Sequence, residues 1–219
     1  MNLAAFFGEV RSSLFSGNLK TGQVEGLEFL LAQWHETGFT NRQWLAYALA
    51  TAYHETAHTM QPIREYGRGK GRAYGRPDPA TGKTYYGRGY VQLTWKSNYE
   101  TASKALGIDF VHTPDLVMQP DNAAFILFQG MKDGWFTGKG FDDYINDRQR
   151  DYWNARRIIN GTDRAGDIAG YALKFEAALD VAGKAADKPW APSPSQSIDP
   201  EDQNWLVRLL LALWRAFRP

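Results

Sequence analysis

Residues 44–66 read WLAYALATAYHETAHTMQPIREY, and how this stretch divides decides the fold around it. Its first half is apolar at helical spacing. Trp44 opens the run, Leu45, Ala48, Leu49 and Ala52 recur on one face, and Thr40 or Asn41 stands where a capping side chain belongs. Glu55 follows three residues after Ala52, at the border of that face. A border position partly withdrawn from water suits a proton donor. Pro62 disfavours helical backbone before it, so the helix is expected to stop ahead of it. Glu65 then lies beyond the break, ten positions after Glu55.

Two chemistries fit this stretch. His54-Glu55-Thr56-Ala57-His58 has the His-Glu-x-x-His spacing with which a helix grips zinc, Glu55 then serving as base. A third ligand would be needed, and Gln61 and Arg64 occupy the later positions where an extended motif places Gly and His. Only His35 and His112 remain as histidines, although a distant Asp or Glu could serve. The other chemistry uses Glu55 and Glu65 as an acid and base pair, with no metal and no thiol. A binding module without catalysis would keep aromatics and amides but has no need of Glu55.

Outward from this stretch the pattern is mostly helical. Residues 2–15 and 22–36 read as helices separated by Ser16-Gly17-Asn18, and Gly38 closes the second. Residues 66–89 form a Gly- and Pro-rich loop with many Arg, Lys and Tyr. Thr84-Tyr85-Tyr86 and Tyr90–Thr94 are expected as short β segments split by Gly87-Arg88-Gly89. Helices are expected again at 98–106, 122–132, 148–159 and 163–183, with a turn at Asn160-Gly161. The expected units are a catalytic domain over 1–188, a Pro- and Ser-rich linker over 189–204, and a basic amphipathic helix over 205–219.

Composition narrows the classes further. The chain has 219 residues, a formal net charge of +1 and no cysteine. The charge gives no footprint for nucleic acid, and the missing cysteine excludes disulfides, thiolate nucleophiles and Cys-based zinc sites. The C-terminal segment places Trp205, Trp214 and Phe217 among leucines, with Arg208, Arg215 and Arg218 as its charges. At 1.5 Å per residue a helix here reaches about 22 Å, too short to span a bilayer. It is expected either to lie on an anionic membrane surface or to dock on the main domain. Met1–Ser16 lacks the basic lead and long apolar run of a secretory signal.

Three separated segments carry a family resemblance. Tyr85-Tyr86-Gly87-Arg88-Gly89-Tyr90-Val91-Gln92-Leu93-Thr94-Trp95 with Asn98-Tyr99 resembles the signature of family 19 glycoside hydrolases, the plant-type chitinases. Residues 47–58 resemble that family's helix with the catalytic glutamate, and Arg157-Ile-Ile-Asn-Gly161 resembles its cleft-lining Ile-Asn-Gly segment. The compact length and missing cysteines are more similar to phage endolysins of this family.

The resemblance implies a mainly α, lysozyme-like α+β fold: a compact helical domain with a small β-hairpin-bearing lobe and a deep cleft. It implies Glu55 as general acid and Glu65 as the base of an inverting displacement, the carboxyls about 6.5–9.5 Å apart. Thr94 would hold the attacking water. His54, Tyr86, Gln92, Asn98 and Asn160 would contact sugar, and Arg88 would play a structural part. No metal and no cofactor are implied. The expected substrate is the glycan of bacterial peptidoglycan, with chitin oligomers as the alternative, and a zinc endopeptidase using His54, Glu55 and His58 as the weaker one. The expected setting is a monomer held in the host bacterial cytoplasm until it is released to the periplasm and cell wall to lyse the cell.

Overall fold

The computed structural model describes residues 1–184. The linker at 189–204, the end of the 1–188 unit and the segment 205–219, with its membrane-facing candidates from Trp205 to Arg218, lie outside the described residues. Among the described residues the helices are α1 (Leu3–Ser13), α2 (Thr21–Glu36), α3 (Arg42–Glu55), α4 (Lys96–Leu106), α5 (Pro120–Asp133) and α6 (Ala165–Lys184). Two small antiparallel pairs accompany them: β1 (Ile63–Arg64) with β2 (Arg88–Gly89), and β3 (Ile145–Asn146) with β4 (Gln149–Arg150). The fold is the expected mainly helical α+β one.

Helix α3 is the centre of the core. Asn41, not Thr40, caps it: its Oδ1 accepts from the Gln43 and Trp44 amides at 2.9 and 3.2 Å. The apolar stripe understated its burial, because every residue from Leu45 to Tyr53 is buried. A helix apolar all round belongs inside the domain. Ala46, Ala48, Ala50 and Ala52 keep its surface low, and α6 packs along it.

Two expectations at the β segments are corrected: Thr84–Tyr86 and Tyr90–Thr94 do not form strands, Leu93 alone making an isolated bridge. The Gly87-Arg88-Gly89 step, taken as a break between strands, is itself the strand: Ile63 pairs with Gly89 and Arg64 with Arg88. Arg88 and Leu93 exchange backbone hydrogen bonds at 3.3 and 2.9 Å across a tight turn. Gly89 adopts φ +83° there, and Gln92 takes φ 51°.

The helix expected over 148–159 does not form. Its first part is the hairpin β3–β4, where the Asn146 side chain accepts from the Arg148 and Gln149 amides. Only a 3₁₀ turn at Asn154–Ile158 remains helical, started by Asp151 Oδ1 accepting from Asn154 N at 2.9 Å. Buried Glu176 of α6 anchors this region. It accepts from Arg150 Nη1 and the Tyr152 hydroxyl at 3.0 Å, and from Gln43 of α3 at 3.2 Å. A charge this buried is tolerated because each carboxylate oxygen has a donor.

Candidate active site

Glu55 is the last residue of α3, and the chain turns sharply after it. The His58 amide reaches back to the Tyr53 carbonyl at 2.8 Å, with Ala57 at φ 49°, a helix ending that usually places glycine at the left-handed position. His58 and Met60 also have positive φ. Helix α2 holds this strained turn in place. Gln23 donates to the His58 carbonyl at 2.9 Å, and Gln61 donates to the Gly22 carbonyl at 2.6 Å. At Gly26 the two backbones meet: a Cβ there would lie 1.9 Å from the Met60 carbonyl oxygen.

This ending dismantles the zinc motif. The helix stops at Glu55, so His54 and His58 do not share a helical face one turn apart. The His58 ring instead stacks on Tyr53, centroids 4.0 Å apart and planes 7° from parallel. Among the described residues no group of three His, Asp or Glu side chains is placed to hold a metal ion. Burial, outweighing the neighbouring Glu55, holds the His54 imidazole below its ordinary pKa.

The Glu55 carboxylate faces Arg156, whose Nη1 donates to Oε1 at 2.6 Å. Both side chains are largely shielded, at 14% and 6% exposure. Arg156 is fixed in turn by its Nε, which donates to the Asp163 carbonyl at 3.1 Å. Arg156 is not evident from the sequence, because the stretch holding it carries the pattern of an ordinary helix. Its one signal was an arginine just ahead of the Ile-Asn-Gly segment.

Glu65 is held by other means. Its backbone amide donates to Gly87 O at 2.8 Å just beyond the β1–β2 pair. Its Oε2 accepts from Gly87 N at 3.2 Å, and its Oε1 accepts from the Tyr74 hydroxyl at 3.1 Å. Glu55 and Glu65 line the same cleft, of ≈ 840 Å³.

Four of the predicted contact residues line that cleft too: Gln92, Thr94, Asn98 and Asn160. Gln92 spends its Nε2 on the Ile63 and Gly89 carbonyls, and Asn98 donates to the Thr94 carbonyl at 2.9 Å. Asn160 Oδ1 accepts from Gly161 N at 2.8 Å. Each amide is therefore held by backbone and keeps one polar end for a ligand.

Tyr86 and His54 are not among the lining residues. Tyr86 is buried, with the Arg88 guanidinium 3.6 Å over its ring. Arg88 pairs with Asp115 at 2.8 Å and donates to Tyr99 and two backbone carbonyls, so it is a core strut as expected.

The cleft also holds aromatics that the sequence reading did not single out. Trp95 is half exposed at φ 69°, edge-on to Tyr74, and Phe136 and Tyr144 line the cavity with it. An exposed tryptophan with such a backbone is a flat platform of the kind sugars stack on.

Comparison with known proteins agrees with this layout. Residues 16–172 match the family model for glycoside hydrolase family 19, chitinase class I. Chitinase 11 of Oryza sativa subsp. japonica is 37% identical over 114 residues, 42% of this chain and 44% of that protein. An endochitinase of Arabidopsis thaliana is 28% identical over 189 residues, 84% of this chain and 64% of that protein. The chain thus spans less than two thirds of the length of these curated relatives. Chitinase C of Streptomyces griseus HUT6037 shares the fold, with a TM-score of 0.55 at 24% identity over 82% of this chain and 75% of that one. The family match spans α2, α3, the cleft loops and the Arg156 turn, and so takes in both acids and every cleft amide named above. The chain is a member of glycoside hydrolase family 19.

Proposed function

We propose that this protein hydrolyses β-1,4 bonds between N-acetylated amino sugars in the glycan strands of bacterial peptidoglycan, and so lyses the cell wall. The observation that supports it most is two glutamates, borne by separate elements, lining one cleft with aromatic and amide side chains. In this reading Glu55 gives its proton to the glycosidic oxygen as the C–O bond breaks. Glu65 takes a proton from the water that attacks the anomeric carbon from the opposite face, inverting its configuration. Thr94 orients that water. Arg156 then faces the charge left on Glu55, and stabilising charge that develops during reaction is what lowers a barrier.

Chitin is the second reading, favoured by the relatives' being chitinases. Both polymers present the same linkage and acetamido groups, so the acids and amides suit either.

The basic apolar segment 205–219 is read as contacting an anionic membrane. Its deletion should leave activity on isolated wall intact and weaken lysis from outside; unchanged external lysis refutes that contact. For the reaction itself, wild type and Glu55→Gln are compared on purified sacculi and on chitin oligomers, with and without chelator. The expectation is new reducing ends from sacculi, indifference to chelator, and a loss of about 10²–10⁴-fold in kcat for the variant. Freed amino groups abolished by chelator would establish a metallopeptidase instead. Turnover of chitin oligomers alone would establish the chitinase.

A further inference from the structure

The loop beyond Glu65 is the one strongly charged feature of the described surface that the reaction does not use. Residues 67–76 read GRGKGRAYGR: four cations and no acid, in a chain whose net charge is only +1. The remainder of the chain is therefore net acidic. Arg68, Lys70, Arg72 and Arg76 are all exposed. Among the described residues none of them is paired with a carboxylate, whereas Arg64 pairs with Asp115, Lys96 with Asp78, Lys139 with Asp143 and Arg164 with Asp167.

The loop is built to hold this charge in one place. Successive backbone turns run from Arg68 to Arg76, the amides of Arg68, Lys70, Arg72, Gly75 and Arg76 each bonded to the carbonyl three residues back. Its two ends are in backbone contact: a Cβ on Gly75 would lie 1.9 Å from the Gly69 carbonyl oxygen, and Gly69 itself sits at φ +71°. Tyr74 fastens the loop to the cleft, by its bond to Glu65 and its edge-on contact with Trp95. A charge cluster on a slack loop is usually solvated surface. A self-packed cluster tied through Tyr74 to the candidate base presents a fixed field beside Glu65.

We infer that this loop binds the stem-peptide carboxylates of the substrate's peptide-bearing sugars, anionic groups that peptidoglycan has and chitin lacks. The inference rests on the peptidoglycan reading and adds the feature that tells the two polymers apart. The cleft amides and rings are neutral and grip either polymer; Lys139, Arg156 and Arg157 line the cleft with them, the first two paired with acids. The loop cations contribute only where the glycan is anionic. Their contribution is electrostatic and exposed, so it must weaken with salt over the Debye length of about 8 Å at physiological ionic strength.

The test uses the full chain, with Arg68→Gln, Lys70→Gln, Arg72→Gln and Arg76→Gln combined. Its control is the charge-keeping set Arg68→Lys, Arg72→Lys and Arg76→Lys. Each is assayed for reducing ends on sacculi at low and high salt and on neutral chitin oligomers. The neutralised variant should lose about tenfold in kcat/KM on sacculi at low salt, chiefly through KM. High salt should bring wild type down to the variant, the lysine set should follow wild type, and chitin oligomers should be cut equally by all three.

An equal loss on the neutral oligomers would make the loop a structural support and overturn the inference. So would cleavage of sacculi by the neutralised variant at wild-type KM, which leaves the peptidoglycan reading standing. If the charges instead govern binding to anionic lipid vesicles while sacculi are cut normally, the partner is a membrane and the inference fails. If wild type cuts only chitin oligomers, the peptidoglycan reading falls and takes the inference with it.

Discussion

Glu55 ends a helix whose residues from Leu45 to Tyr53 are all buried, whereas Glu65 extends from a two-residue strand backed by a glycine-rich loop. The first acid is held by packing. Around it, α2 clamps the turn that follows and Arg156 meets the carboxylate. The second is held by hydrogen bonds from Gly87 and Tyr74. Disturbing the Glu55 side should therefore damage stability and activity together, while disturbing the Glu65 side should damage activity with little effect on stability. In the proposed inverting reaction such a division is useful, since the donor needs a fixed direction and the base must accommodate an entering water.

The largest effect that would sharpen this contrast is expected from Arg156→Ala. It strips the shielded Glu55 carboxyl of its donor, and a buried polar group left without its partner costs about 1–3 kcal/mol, more when charged. Urea unfolding should show that loss alongside a collapse in turnover. A variant of native stability would mean that Arg156 does not hold the Glu55 side.

Gly26→Ala comes next. Alanine normally favours a helix interior over glycine, but here its methyl meets the Met60 carbonyl. Overpacking of this kind costs about 1–3 kcal/mol, and the displaced turn should lower kcat through Glu55. A gain in melting temperature would show that α2 does not clamp that turn.

Tyr74→Phe probes the other side. Deleting one hydrogen bond to the Glu65 carboxylate is worth about 1.5 kcal/mol, or roughly tenfold in kcat/KM. The melting temperature should hardly move, and a large destabilisation would erase the proposed difference between the two acids.

The smallest effect concerns pH. Burial keeps the His54 imidazole below its ordinary pKa, so the unfolded chain binds that proton first as the medium is acidified. Stability from this group is complete above the unfolded value, about 6.5, and declines as pH falls through the window down to the depressed folded value. Melting temperature should drop between neutral and mildly acidic pH, and His54→Gln should flatten that drop. His58, whose pKa is also lowered, by desolvation and then by His54, contributes in the same direction.

The same contrast explains what the sequence made legible. The Glu55 side is written in local patterns: apolar spacing, the Asn41 cap, the Pro62 stop. Periodicity reports burial on a single element well. It underestimated α3 only because alanines and tyrosines fill the faces that leucine does not.

Around Glu65 the residues that matter come from distant parts of the chain. Gly87 reaches it from beside a sheet of two residues per strand, too short to alternate and so read in sequence as a break, and Tyr74 reaches it from the loop between those strands. Arg156 was hidden for a similar reason. The Asn146 turn and a short 3₁₀ segment replace the helix that its surroundings suggested, and no local pattern reports an ion pair between residues so far apart. Tyr86 shows the limit of carrying a role over by motif: it lies beside the cleft segment in sequence but serves as the bed for Arg88.

The pairing of Glu55 as donor with Glu65 as base is tested most directly by the anomeric form of the first sugar ends released. Proton NMR during the opening minutes of cleavage, before the ends equilibrate, reads that form. Inversion at a β-linked bond predicts α-anomeric product. An initial β-anomer would mean a retaining displacement and would contradict the assignment of Glu65 to activating water.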